Sequence, residues 1–470
     1  MLVENWLTSI VLIFSLWFNQ VNGLLQPSKD DFYTEPSNIS AYKPGEVIRK
    51  RSMPQELSPY YPASSRKVYQ IVYCSQDSFG KAAAYVATVF EPDNNPDPSK
   101  LLAYQAIEDA ADPDCAPSYT FAANTTWVNS NGKFELLYIE HALQQGYYVV
   151  APDYEGLNNA FCANKKTGYA TLDSIRAAKN FDGTKIDQNC SIVTWGYSGG
   201  SIPGLWSSVL AESYAPELNI IGAAIGGAVQ NTTSVALAVD GTYNAGIAAL
   251  AIKGMMNEYP DMEDYIYNEA LRKDKIADFN RTSEVCLLSS MIVFYNDNFF
   301  GSGNDSYFKE GVKALTGGPV KRITEENAID LENDPLPKFP IFLYSGKHDI
   351  EAPLEQNAEL IYEIWSERNI NSLEFELDSI ANHEAGLYLG GPAAFAWIEN
   401  VFNKGPVVKG SEKKERLTSL LYPGVDHNIV KLTYQALQQI QRSGLPDILS
   451  ELEGSLIGNI QQAMKVINLL

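Results

Sequence analysis

The stretch Ser191-Ile-Val-Thr-Trp-Gly-Tyr-Ser-Gly-Gly200 decides how the rest of the chain is read. Residues 192–195, β-branched and aromatic, read as a buried strand. They run into Gly196-Tyr-Ser198-Gly-Gly200, a G-x-S-x-G, and then into residues 201–212, which can be helical. Strand, tight turn and helix form the context of a nucleophile elbow. The serine of such a turn sits in a strained backbone region, and a Cβ on a flanking glycine would strike the neighbouring strand or helix. Its hydroxyl then projects at the end of a sheet, with the Gly199 amide and a helix N-terminus behind it to draw developing negative charge.

Working outward, strands are expected at residues 66–73 and 82–90, joined by a turn at 75–80. Residues 91–100 read as a loop. A third strand, 101–107, ends in Glu108-Asp109-Ala110, and 146–153 reads as a buried strand. Helices are expected at 134–145 and 171–180, and further strands at 219–228, 340–345 and 372–378. Strands alternating with helices predict an α/β fold with a mostly parallel, two-sided central sheet. Residues 230–336 interrupt it with a largely helical insertion. Long insertions of this kind sit at the carboxyl ends of strands, where ligands bind, so it is read as a lid or cap over the serine.

A serine needs a general base, and the base needs a carboxylate. In this strand–helix order the acid follows the serine and the histidine comes last. His141 precedes the serine. His348 adjoins the expected acid in one tight loop, and His427 lies in a C-terminal helical tail. His383 falls in the loop after the last strand and is the expected base. Residues 340–353 form a strand, a glycine turn and Asp349, the expected acid, with Glu351 second and Asp378 third. Gly199 supplies one oxyanion amide, and the second is expected around Asp109. An ionised carboxyl there would repel the oxyanion unless turned away or protonated. The expectation is therefore a hydrogen-bonded Asp109 side chain, with protonation as a way to avoid the clash.

The chain has 470 residues, 35 basic against 57 acidic, for a net charge of −22. That balance argues against nucleic-acid binding and against docking on anionic membranes. Residues 1–23 carry a short apolar run ending in small residues and read as a secretory signal peptide. No later segment is expected to span a membrane. N-x-S/T sequons make Asn38, Asn124, Asn231, Asn280 and Asn304 glycosylation candidates, while Asn189 is the weakest because Cys190 is its middle residue. Residues 24–60 are expected to be a poorly structured leader, with Arg49-Lys-Arg51 as a basic cluster that proteases of the secretory pathway could cut. No C-x-x-C pair exists and there are four histidines, so neither a metal nor a cofactor is expected.

Four stretches carry a resemblance: residues 104–119 (Tyr104-Gln-Ala-Ile-Glu-Asp-Ala-Ala-Asp-Pro-Asp-Cys-Ala-Pro-Ser-Tyr119), 141–150, Trp195-Gly-Tyr-Ser-Gly-Gly200 and 210–220. Together they resemble the Candida lipase A-like family of secreted fungal lipases over residues 60–405. The resemblance implies a nucleophile at Ser198, an acid at Asp349, a base at His383 and oxyanion amides at Gly199 and Asp109. It also implies a disulfide between Cys115 and Cys286. A second, C-terminal bridge has no cysteine to form it, and Cys74, Cys162 and Cys190 have no family partner. The implied organisation is an α/β-hydrolase core at 61–229 and 337–405, a lid at 230–336, and a C-terminal helical tail or flap at 406–470.

The function expected is a secreted lipase that cleaves ester bonds of triacylglycerols, at an oil–water interface or free of one, without an obligate protein partner. A soluble carboxylesterase or acyltransferase on shorter esters is the main alternative. A catalytically inactive hydrolase fold kept for binding is the second.

Overall fold

The computed structural model describes residues 24–54, 64–121, 132–303, 305–442 and 450–469. The signal-peptide segment and the sequons at Asn124 and Asn304 lie outside them. Strands follow in chain order: β1 (Val47–Met53), β2 (Ser65–Gln76), β3 (Ala82–Pro92), β4 (Asp97–Gln105), β5 (Tyr147–Pro152), β6 (Ser191–Tyr197), β7 (Ile220–Gly226), β8 (Ile341–Gly346), β9 (Ser372–Asp378) and β10 (Gly410–Arg416). The helices that matter here are α1 (Gly132–Gln144), α2 (Asn164–Asn180), α3 (Ser201–Tyr214), α4 (Thr232–Val239), α5 (Ala245–Glu258), α6 (Leu287–Val293), α7 (His383–Phe402), α8 (His427–Arg442) and α9 (Ser450–Val466).

Among the described residues the strands form one ten-stranded sheet in the order β1-β2-β3-β5-β4-β6-β7-β8-β9-β10. β1, β2 and β3 are antiparallel, and β3 meets β5 antiparallel. From β5 to β10 every pairing is parallel. The centre is buried on both faces, which is why residues 192–195 are β-branched and aromatic without a polar–apolar alternation of faces. Alternate residues supply separate cores. Ile192 packs with α2 and α3, whereas Val193 and Trp195 pack with α1 and α7. The Trp195 ring meets Tyr104, Tyr138 and Phe395, and its Nε1 donates to Tyr344 Oη at 2.9 Å.

Three expectations are corrected. Residues 24–54 are not a loose leader, because β1 pairs with β2 along its length and Tyr33 is buried, with its hydroxyl 2.8 Å from Ser118 Oγ. Arg49-Lys-Arg51 lies inside β1, where Arg51 pairs with Asp30 at 2.5 Å and donates to Gln70 at 2.6 Å. Residues 97–100, read as loop, open β4. The tail after residue 405 is not wholly helical, since β10 joins the sheet beside β9.

Between β7 and β8 the insertion carries α4, α5, α6 and a nine-residue helix, Gly318–Glu326, with shorter helices and turns. It is tied to the core by a disulfide between Cys115 and Cys286, 171 residues apart. Cys74, Cys162 and Cys190 are free and buried. Behind the sheet, α9 buries Ile460, Ala463 and Met464 in the same core as α7. Among the described residues no helix is long and apolar enough to cross a membrane.

Candidate active site

The end of β6 is forced into a tight bend. Ser198 has φ +52°, the left-handed region an L-residue enters only under tertiary constraint. A Cβ on Gly196 would lie 2.1 Å from the Gly200 carbonyl oxygen, and one on Gly200 would lie 2.1 Å from that of Gln105. Only glycine lets the turn close against β4. The polypeptide then continues directly into α3, so Ser198 Oγ stands at a helix entrance, half-buried.

His383 opens α7. Asn382 caps that helix by accepting from the Ala385 amide at 3.0 Å. The Tyr197 hydroxyl, next to Ser198 in sequence, donates to the His383 carbonyl at 2.6 Å. His383 Nε2 lies 2.8 Å from Ser198 Oγ, and Nδ1 lies 2.7 Å from Asp349 Oδ2. Asp349, in the turn after β8, also accepts from the Ala352 amide through Oδ1 at 2.8 Å. With Nδ1–H donated to Asp349, Nε2 is the lone pair facing the serine hydroxyl. Burial alone would pull the imidazole down. The Asp349 carboxylate outweighs it and holds His383 above the ordinary imidazole range.

The structure thus brings Ser198, Asp349 and His383 together; of the alternative acids, Glu351 lines the same cleft but pairs with Glu384. Asp378 is spent on structure: it accepts from Ile380, Ala381, Thr418 and Ser419. His141 is buried against Phe395 and pushed down to about 4 by burial. His427 contacts the Leu420 carbonyl.

Asp109 departs from expectation. Its amide donates to Glu155 Oε1 at 3.1 Å rather than facing the serine unengaged. Its side chain is not hydrogen-bonded as expected, because the buried Oδ1 has no partner. That carboxyl lies over Gly199, where a Cβ would be only 1.7 Å from Oδ1. Burial pushes Asp109 up to about 7 against the opposing pull of His383. Glu155, which nothing in the sequence singled out, is held well above the carboxylate range, first by burial and then by Asp109.

Sequence reasoning also missed a group bridging to the insertion. Tyr243, between α4 and α5, donates its hydroxyl to Glu384 Oε1, and Asn382 Nδ2 donates to Glu384 Oε2 at 2.7 Å. The Glu351 carboxyl hydrogen-bonds Glu384 as well. Glu384 follows His383 directly, which is a signal of sorts; Tyr243 offers none before the chain is folded.

Ser198, Gly199, Asp109 and His383 share one cleft. Apart from Glu351 and Thr232 its remaining wall is apolar, from the core (Phe161, Ile202) and from the insertion (Val235, Ile247, Ala248, Ala251). Residues 245–252 are therefore both a packed helix and the roof over the serine. The four described sequons, at Asn38, Asn189, Asn231 and Asn280, are all exposed.

A hydroxyl on a strand–helix elbow, an imidazole and a carboxylate in relay, and an apolar roof define a serine ester hydrolase of the α/β-hydrolase fold. The family described as secretory lipase matches residues 122–410, and the chain belongs to that family. It is a lipase, a hydrolase acting on ester bonds. Lipase 1 of Candida albicans (strain SC5314 / ATCC MYA-2876) is 38% identical over 445 residues, covering 93% of this chain and 94% of that one. Lipase A of Arthroderma benhamiae is 33% identical over 413 residues, 85% of each chain. Among solved structures, Candida antarctica lipase A in its closed state superposes with a TM-score of 0.79 at 29% identity, covering 89% of this chain and 96% of that one. The rice cell wall degrading esterase LipA from Xanthomonas oryzae shares the fold, with a TM-score of 0.55 at 16% identity over 77% of this chain and 96% of that one.

Proposed function

We propose that the protein is a secreted enzyme that hydrolyses acylglycerol esters through an acyl-enzyme on Ser198. Ser198 Oγ attacks the ester carbonyl as His383 Nε2 takes its proton, and Asp349 stabilises the imidazolium. The tetrahedral intermediate collapses, and the alcohol leaves with the proton from His383. Water then attacks the acyl-serine by the same route and releases the fatty acid. The Gly199 amide holds the oxyanion. The second donor in this arrangement is the Asp109 carboxyl in its protonated form, since the Asp109 amide is already engaged. A protonated acid at this point donates a hydrogen bond where an ionised one would repel.

The observation that carries this reading is the pair of hydrogen bonds joining Ser198, His383 and Asp349 beneath an apolar roof supplied by the insertion. Membership of a secretory family and the N-terminal apolar run support export. A fluorophosphonate probe should label the secreted protein, and Ser198→Ala should abolish labelling. Release of fatty acid should then be followed on nitrophenyl esters of rising chain length and on an emulsified triglyceride. Labelling combined with turnover of short esters alone would replace the lipase reading by that of a soluble carboxylesterase.

A further inference from the structure

The loop after β8 and the first turn of α7 meet twice. The first meeting is the Asp349–His383 hydrogen bond. The second lies two residues along one segment and one along the other, where the Glu351 carboxyl meets that of Glu384. Glu351 is 9% exposed and lines the cleft beside Ser198. Two carboxyls in hydrogen-bond contact inside a protein do not both ionise without a large repulsion, so one proton is held between them. Burial, then Glu384, keep that proton on Glu351. Burial works against the Glu384 charge too, but its bonds from Glu351 and Tyr243 outweigh it and hold Glu384 below the usual range. Asp349, His383, Tyr197 and Tyr243 are the other titratable groups facing the pair.

Resting on the reading of His383 as the base, we propose that Glu351 and Glu384 are positioning residues. They form a hydrogen-bonded clasp that fixes the acid-bearing loop against the base-bearing helix, and Tyr243 registers the insertion on it. A single hydrogen bond between Asp349 and His383 leaves both segments free to pivot about it. A second attachment a few ångströms away removes that pivot. The imidazole must reach Ser198 Oγ in one step and the leaving oxygen in the next, and small misplacements of such a group are expensive in rate. Tyr243 sits in the connection between α4 and α5, both of which roof the cleft, so the insertion cannot lift there without breaking its bond to Glu384.

Three variants of the full-length secreted protein test this on dissolved nitrophenyl butyrate and on emulsified tributyrin. Glu351→Met fills the same space without a hydrogen bond. It should lower kcat about tenfold with little change in KM, and broaden the low-field NMR resonance of the His383 Nδ1 proton. Glu351→Gln, which still donates to Glu384, should recover most of both losses. Tyr243→Phe should raise the rate on the dissolved ester relative to the emulsion by a few-fold. A Glu351→Met enzyme with unreduced kcat and a sharp resonance, or a Glu351→Gln enzyme as slow as Glu351→Met, would overturn the clasp. An unchanged substrate ratio in Tyr243→Phe would overturn the link to the insertion. Fluorophosphonate labelling of Ser198 in the parent protein keeps these failures separate from a failure of the hydrolase reading itself.

Discussion

At the scale of single residues the most consequential group is Asp109. Its carboxyl occupies space that a side chain on residue 199 would fill, with one oxygen buried and unpaired. The His383 charge opposes the upward shift of Asp109 only while the imidazole holds its proton. Once the base is neutral and competent, Asp109 rises further and keeps its own proton. The expected pH profile of kcat/KM therefore rises and then falls, because the active form needs a neutral His383 and a protonated Asp109 at once. Asp109→Asn, a donor at every pH, should lose the descending limb. Asp109→Ala should fall by about 10²-fold or more at all pH values, the usual effect of deleting an oxyanion donor. An Asp109→Asn enzyme with parental rates and a parental profile would remove the carboxyl from the mechanism. Ser198 and His383 were legible beforehand because steric need and chain order constrain them. Asp109 was legible only as a position. Its engaged amide depends on Glu155, which is close only after folding.

At the scale of elements, legibility follows the side chains. β6 and β8 announce themselves because both faces are buried, so their sequences are dominated by β-branched, aliphatic and aromatic residues without charge. β10, Gly-Ser-Glu-Lys-Lys-Glu-Arg from 410 to 416, has no such signature. It is an edge strand whose side chains mostly face water, and what places it is the backbone ladder to β9. β1 is hidden for the same reason, since its exposed and half-buried arginines and lysine look like a solvated patch. The insertion was legible as a length between strands and as helical periodicity, but its contact with Glu384 was not. Its covalent tie carries a stability expectation. Closing a loop between residues 115 and 286 restricts the unfolded chain, so Cys286→Ala should lower the unfolding free energy by about 2–5 kcal/mol, measured by reversible denaturant unfolding. No change in midpoint would mean that the insertion is held by packing alone.

At the scale of the whole molecule, buried carboxyls dominate the response to pH. Glu135 is pushed up to about 8, and Glu140 and Asp153 to about 7, by burial in each case. These groups hold protons in the folded protein that the unfolded chain releases above about pH 4. Their contribution is intact below that value and is lost as pH rises towards 7 to 8. Glu258 acts in the opposite sense: burial raises it, but Lys166 at 2.8 Å brings it down to about 2, so its contribution is lost only in strong acid. The net charge of −22 adds repulsion that grows with pH. The Tm should therefore be higher at pH 5 than at pH 8 in calorimetry, and a Tm that climbs over that interval would contradict the assignment. The N-terminal region carries a second whole-molecule expectation. Because β1 and Tyr33 belong to the sheet and its cover, the mature chain should begin near residue 24. N-terminal sequencing that instead finds residue 52 would mean that the enzyme works without its first strand.

The bridge from Cys115 to Cys286 also sets a direction of entry. Residue 115 lies just beyond Asp109, and residue 286 leads into α6, so that flank of the roof is bolted to the floor. Residues 240–244 are held by hydrogen bonds instead: Gly241 donates to the Asp297 carbonyl, Thr242 accepts from the Asn296 amide, and Tyr243 donates to Glu384. An entrance to Ser198 is therefore expected away from the bridge. Severing the bolt would give the enzyme a second entrance and a looser taste in bulky esters.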